Sequence, residues 1–548
     1  MTRIQKLSLA LAAGASALTL AACGGEAPSE DVTVLHRGNN AEPFSLDPHK
    51  ASGTWENNII GDMFIGLFTE NAAGEPILGM AQSYEVSEDG LAWTFTIREA
   101  NWSDGEPVDA YDFEFALRRI LIPETLANYA SILYPIRNAR GVNAGDLPPE
   151  DLGVVAVDER TLRIELEFPA PYLPQLLTHY TSFPVPQHIV EQHGDAWVQP
   201  ANIETNGPYK LVQWSSNNFV HVERNPLFFD NANVCVDEVF YYPAELQAAE
   251  RRVRSGELHL TTDFAGQSYD FLREEIPDYV RVNDYLGLVY FSFNTVQEPF
   301  DDPRVRNALG MAIDTQFIAD EILRTGQTPA HSFVPPFTAN YPATARVSWF
   351  DDPIEERRVR ARELLEEAGF GPDNPLRFEY THRSTGDNPR VAPVVQSDWE
   401  SIADWVDVDI LQIDTQIHYS NLRAGDYTVG DGGWIGDYND AYNFLFLAET
   451  ESVPMNYSRW SSEEFDALVA QANVTIDGAE RGELLAQAEQ IMLDELPYVP
   501  IVYYVNKALV DPNVTGWEDN INHIHRTRFL CFADQAQSAD AGGETSAG

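Results

Sequence analysis

Strand and helix periodicities alternate along this chain with no short repeat, which constrains the fold to a mixed α/β architecture built from more than one unit. Leu162, Ile164, Leu166 and Phe168 alternate with Thr161, Arg163, Glu165 and Glu167, the period of a strand with one buried face. Trp93, Phe95 and Ile97 repeat the pattern against Thr94, Thr96 and Arg98. Helix starts are equally legible: Asp302-Pro303 and Asp352-Pro353 each place an acceptor at an N-cap and proline at the first helical position. The second of these helices is expected to end at Gly369 and to bury a stripe of Val359, Leu364, Leu365 and Ala368. Pro497 to Val510, rich in β-formers and broken by Pro500, reads as a buried strand near a hinge or cleft. At 548 residues the chain exceeds what one hydrophobic core supports, so two or three lobes are expected.

The first residues say where those lobes work. Arg3 and Lys6 precede an apolar run from Leu7 to Leu20, and Leu20-Ala21-Ala22-Cys23-Gly24 surrounds a cysteine with small residues, as a lipoprotein-type peptidase requires. Residues 1–22 are expected to be removed, leaving Cys23 as a lipid anchor and 23–30 as a polar tether. An ordinary secretory leader with a chance cysteine is the alternative. The run is shorter than the ~20 residues a membrane-spanning helix needs.

The charge is lopsided, with 35 Lys+Arg against 85 Asp+Glu and a formal net of -50. Such a field repels nucleic acid and anionic lipid, so neither is an expected partner. Cys235 and Cys531 are the cysteines left after Cys23, and in an oxidising compartment they pair or stay buried. The tail at 534–548 holds nothing apolar enough to bury and is expected to be disordered.

Catalytic signatures are missing: no phosphate loop, dinucleotide fingerprint, zinc-protease helix, nucleophile elbow or Cys-x-x-Cys pair occurs. His523-x-His525 is the one close histidine pair, and without a third ligand it reads as a surface pair rather than a metal site. Carboxylates are too abundant for any acid pair to be diagnostic. No enzyme activity, cofactor or metal is expected.

Several stretches, in order, resemble the extracytoplasmic oligopeptide-binding proteins of ABC importers, solute-binding family 5. They are Ser45-Leu46-Asp47-Pro48-His49-Lys50, Trp102-Ser103-Asp104-Gly105, Thr205-Asn206-Gly207-Pro208-Tyr209, Glu223-Arg224-Asn225-Pro226, Val305-Arg306-Asn307-Ala308-Leu309, Asp437-Tyr438-Asn439 and Tyr503-Tyr504-Val505-Asn506. The resemblance implies a two-lobed α/β fold of the periplasmic-binding-protein-like kind (type II, cluster C), with an extra domain inserted in lobe I. By position, lobe I falls at 31–64, 188–286 and 506–533, the extra domain at 65–187 and lobe II at 287–505, with hinges near Leu286 and Val505. It also implies a monomer that delivers extended oligopeptides to an ABC permease. Rival readings are the same fold with another solute (dipeptide, cell-wall peptide, sugar or metal chelate) and a surface hydrolase.

In this resemblance Asp437 meets the peptide's amino terminus, since burying an ammonium is costly unless a carboxylate meets it. Gly433 lets a ligand backbone approach, and Trp434 offers a flat wall. Ser52, Thr54, Tyr129, Tyr290 and Tyr504 match cleft positions. Asp431 stands where relatives that clasp a short ligand's carboxylate have arginine, and Asn388 falls near a position where histidine does likewise. The expectation is that Asp431 repels a free carboxylate, so that short peptides lose C-terminal anchoring.

Overall fold

Two long antiparallel strands, Val280–Phe293 and Tyr498–Val510, organise the computed structural model, which describes residues 32–533. The leader, Cys23, the tether and the tail from 534 onward lie outside the described residues. The strands pair from Val280–Leu509 to Ser292–Tyr498 and lie in the middle of an 11-stranded sheet. On one side the order is Val429–Ile435, Leu376–Arg383 and Val406–Ile413; on the other it is Leu260–Thr261, Val34–Gly38, Glu238–Tyr242, Phe219–Arg224 and Tyr209–Ser215.

The two strands serve different cores at their two ends. Leu288, Phe291, Phe293, Tyr498 and Val502 are buried with residues from 286 to 503, whereas Ala508 and Val510 belong to a core running from Leu35 to Leu530. The exchange falls where pairing is irregular, between Asp284–Val505 and Leu288–Tyr503. A second irregularity seats Pro500 opposite Tyr290, where a residue without an N–H removes no regular ladder bond.

Residues 65–187 carry their own antiparallel sheet, ordered Ala81–Val86, Ala92–Ile97, Thr161–Glu165 and Val154–Asp158. Helix Ala110–Leu121 buries Phe113, Ala116, Leu117 and Ile120. Its Asp109 cap accepts from the backbone of Tyr111 and Asp112, worth about 1 kcal/mol. The core of this region is continuous with that of the neighbouring lobe, Phe64 meeting Trp102 and Trp197 edge-on at 6.5 and 6.2 Å. Residues 65–187 thus hold a distinct sheet without a separate core.

Local readings hold with adjustments. Asp302 caps Pro303–Ala312 and accepts from the Arg304 N–H. The later helix is Ile354–Glu367, with Pro353 rather than Asp352 at the N-cap. Leu365 is buried beside Ala361, and Leu364 and Ala368 pack half-buried against the same core, so the expected stripe faces inward except at Val359, which is 61% exposed. Gly369 follows it at φ +96, a conformation side chains resist.

The C-terminal segment is stitched to residues far earlier in the chain. Cys531 is bonded to Cys235, with Cα atoms 5.2 Å apart. The Arg526 guanidinium lies 3.3 Å from Glu70 and donates to the Asn57 carbonyl at 2.8 Å, both ions being buried. Among the described residues no helix is long and apolar enough to cross a membrane.

Candidate ligand-binding site

Strand Val429–Ile435 runs beside the first crossing strand, Trp434 opposite Leu288 and Gly433 opposite Val289. Its glycines are required by close neighbours. A Cβ on Gly432 would lie 2.6 Å from the Tyr290 ring, and one on Gly433 would strike the Tyr504 hydroxyl. Beyond the strand, Asn443 Oδ1 accepts from the Trp434 indole at 2.9 Å and from the Asp437 N–H at 3.2 Å. One amide therefore fixes both the tryptophan and the turn that presents Asp437.

Asp437 lines a cavity of about 290 Å³ between the two halves of the molecule. Ser52, Thr54 and Tyr129 contribute from one half, Ile435 and Gly436 from the other, and Val505 to Lys507 from the second crossing strand. The Tyr129 hydroxyl donates to Asp437 Oδ2 across this gap. Burial pushes the Asp437 carboxyl up to about 6, against the lowering effect of hydrogen bonds from Tyr129 and Asn443. Among the described residues no cation pairs with it. Burial, followed by the neighbouring Asp437 charge, raises Tyr129 well above its ordinary value, so it stays a neutral donor.

Ser52 and Thr54 are exposed at the start of helix Thr54–Met63. Glu56 holds this edge: its Oε2 accepts from the N–H groups of Ser52 (2.9 Å) and Gly53 (2.7 Å), and its Oε1 from Phe44 (2.7 Å). Outside the cavity Tyr172 stacks on Tyr438 at 4.9 Å and 7°, a second contact between the halves. Arg481 lies over the Tyr172 ring at 5.3 Å and is fixed by Asp440 at 2.7 and 2.8 Å.

Not every expected residue lines the cavity. Tyr290 is 1% exposed and sits in the core between Phe333 and Tyr498, because its strand position faces inward. Tyr504 and Gly433 adjoin one another but are not cavity walls, and Trp434 packs edge-on against Phe446. Asp431 is the largest departure. It is 0% exposed, and Arg383 takes its carboxylate through the backbone N–H at 2.8 Å and Nε at 2.5 Å. His418 Nε2 lies 3.3 Å from Oδ1, the oxygen that accepts the Arg383 N–H. Asp431 thus does not face a ligand as a bare acid, because an enclosed carboxylate is stable only with a partner. Asn388 lies at the edge of the same group, its Oδ1 3.5 Å from the guanidinium.

Sequence reasoning missed Arg383, Asn443, Asp263 and Lys507. Arg383 ends a strand that runs parallel to Val429–Ile435, and no local motif signals that pairing. The histidine pair is not the surface pair expected: His525 is 7% exposed with Trp517 stacked on it at 3.5 Å, and His523 Nε2 bonds the Thr262 carbonyl at 2.6 Å, because the C-terminal segment folds back onto the rest of the fold. A larger hollow of about 550 Å³ elsewhere is lined by Lys50, Arg118 and Arg119, each already paired, with Asp195, Glu114 and Asp47 respectively.

Residues 75–453 match the model of the bacterial extracellular solute-binding proteins, family 5. The chain is 37% identical to the periplasmic oligopeptide-binding protein OppA of Salmonella typhimurium, over 96% of this chain and 98% of that one. Among solved structures, the unliganded open form of the periplasmic murein tripeptide-binding protein MppA superposes with a TM-score of 0.80 at 33% identity, covering 92% of this chain and 98% of that one. Haemophilus influenzae OppA in complex with the peptide RPPGFSPFR gives 0.78 at 33% identity, covering 92% and 99%. These matches span nearly the whole fold, both halves and the crossing strands included, and they are matches to binding proteins rather than enzymes. The chain belongs to the family 5 bacterial extracellular solute-binding proteins.

Proposed function

We propose that this protein captures extended oligopeptides by their amino termini outside the cytoplasmic membrane and hands them, enclosed, to an ABC permease. The observation that carries this reading is Asp437, a carboxylate raised to about 6 inside an interlobe cavity and met there only by neutral donors. A peptide ammonium supplies the missing charge. The relatives that bind oligopeptides and a murein tripeptide support a peptide guest. A ligand biases closure only by binding the closed state better than the open one, and a cavity walled by both halves provides that difference. Main-chain bonding of an extended guest tolerates many sequences.

A lipid on Cys23 belongs to the same reading, supported by the Leu-Ala-Ala-Cys-Gly leader, and it would keep the receptor at the membrane that holds its permease. Two measurements test the proposal. Mass spectrometry of molecules released on denaturing freshly purified protein is expected to find oligopeptides with free amino termini; a non-peptide solute would overturn the cargo. Mass measurement of the amino-terminal fragment of membrane-extracted protein is expected to show acyl chains on Cys23; an unmodified cysteine would remove the anchor.

A further inference from the structure

The cavity that holds Asp437 has a second charged end. Of the residues lining it, three carry charge: Asp437, Asp263 and Lys507. Lys507 Nζ lies 3.2 Å from Asp263 Oδ1, whose oxygen also accepts the Phe264 N–H at 2.7 Å. An ammonium has three donors, so this contact leaves Lys507 with donors to spare. Asn40 Oδ1, also at this end, is a buried acceptor with no partner among the described residues. Asn40 and His523, at the same wall, both hold φ of +54 without being glycine, and such conformations concentrate where ligands are clamped. The lining histidines add no charge: burial, then Arg526, lowers His179 to about 3, and burial lowers His523.

The charges can be counted. With an amine guest on Asp437, the cavity holds two cations, the guest's ammonium and Lys507, and two carboxylates, Asp437 and Asp263. A basic side chain entering from the guest's first residue makes that sum positive, and an acidic one makes it negative. Either imbalance costs binding in a partly enclosed cavity, less than it would in a dry interior because the Lys507 and Asp263 side chains are 18% and 36% exposed. An apolar side chain balances the charge but leaves the Lys507 donors and the Asn40 acceptor unmet, which costs more than forming bonds there gains. A carboxamide accepts from Lys507 and donates to Asn40. We infer that Asp263, Lys507 and Asn40 form a specificity subsite selecting an uncharged, hydrogen-bonding first side chain, a carboxamide above all. The inference rests on the amine-at-Asp437 reading and deepens it.

The test is calorimetry with tetrapeptides that differ only in a first residue of glutamine, glutamate, lysine or leucine, against the wild type and two near-isosteric variants. In the wild type the glutamine peptide is expected to bind about 10-fold tighter than either charged peptide. Asp263→Asn removes one carboxylate, so the glutamate peptide then restores balance and becomes the tightest. Lys507→Met removes one cation, and the lysine peptide becomes the tightest. The variants move the preference in opposite directions, which damage to the fold shared by both cannot imitate. The same ranking in all three proteins would overturn the subsite while leaving the amine clasp standing. Failure of every peptide to bind the wild type would overturn the amine-binding reading and the subsite with it.

Discussion

Asp431 and Asp437 stand six residues apart in one segment, the first fully buried and the second half-buried on a cavity wall, and their environments are opposite. Asp431 is met by Arg383 at 2.5 Å, with His418 beside it. Asp437 is met by a tyrosine hydroxyl and its own turn, and its carboxyl is pushed up to about 6 by burial. A buried acid with its own arginine is a structural element, closed to outside partners. A buried acid left without one is held in an unfavourable ionised state that an incoming cation relieves. The difference separates scaffold from site more sharply than burial alone.

The largest expected effect breaks the scaffold member of the pair. Asp431→Ala leaves Arg383 enclosed without its counter-ion and is expected to lower unfolding stability by about 3–5 kcal/mol, read in a denaturant titration. A loss below ~1 kcal/mol would mean that the pair is not structural. Next, Asp437→Ala is expected to cost peptides with a free amino terminus about 2–4 kcal/mol of binding by calorimetry. Acetylated peptides should lose less than ~1 kcal/mol; equal losses would remove the clasp.

Acidity sharpens the contrast further. An amine guest needs Asp437 ionised, so affinity is expected to be level above its value of about 6 and to fall roughly tenfold per unit below it. The sign for folding is the reverse of the usual carboxylate. Because the folded value lies above the ordinary 3.8, ionisation penalises the ligand-free fold: the penalty is absent below 3.8, grows toward about 6 and is complete above it. Asp437→Asn is therefore expected to stabilise the empty protein at neutral pH and not in strong acid.

Smaller still, Tyr129→Phe removes one neutral donor and is expected to weaken amine peptides by about 1 kcal/mol. The smallest effect concerns the other terminus. Arg383 is already engaged by Asp431, Tyr419 (2.8 Å) and Asn388, so a tripeptide acid and its amide are expected to bind within ~1 kcal/mol of each other. A much tighter acid would show that Arg383 is free to clasp it.

Much of this was legible in the residues. The alternation at Trp93 to Ile97, the Asp302-Pro303 cap and the β-rich run to Val510 depend on near neighbours, and each formed close to the expected place. Of the expected helix stripe only Val359 failed, because helical spacing sets it off the face on which Leu364, Leu365 and Ala368 meet the core. Tyr290 failed for a related reason, since a strand alternates faces and only the covering layer decides which is inside. The repulsion expected of Asp431 failed because its answer, Arg383, comes from another strand.

What the sequence by itself determined is local or compositional: the strands and helices, the acidic charge, the missing catalytic motifs, and Asp437 beside its glycines. Those follow from backbone preference, side-chain period and residue chemistry, all of which act over a few neighbours. Only the tertiary structure decided which carboxylate receives an arginine and which waits, that 65–187 shares its core with the adjoining lobe, and that Lys507 and Asp263 close the same cavity as Asp437. The physical reason is that charge compensation in an enclosed space depends on distances between residues tens to hundreds of positions apart, and those distances exist only once the chain has folded.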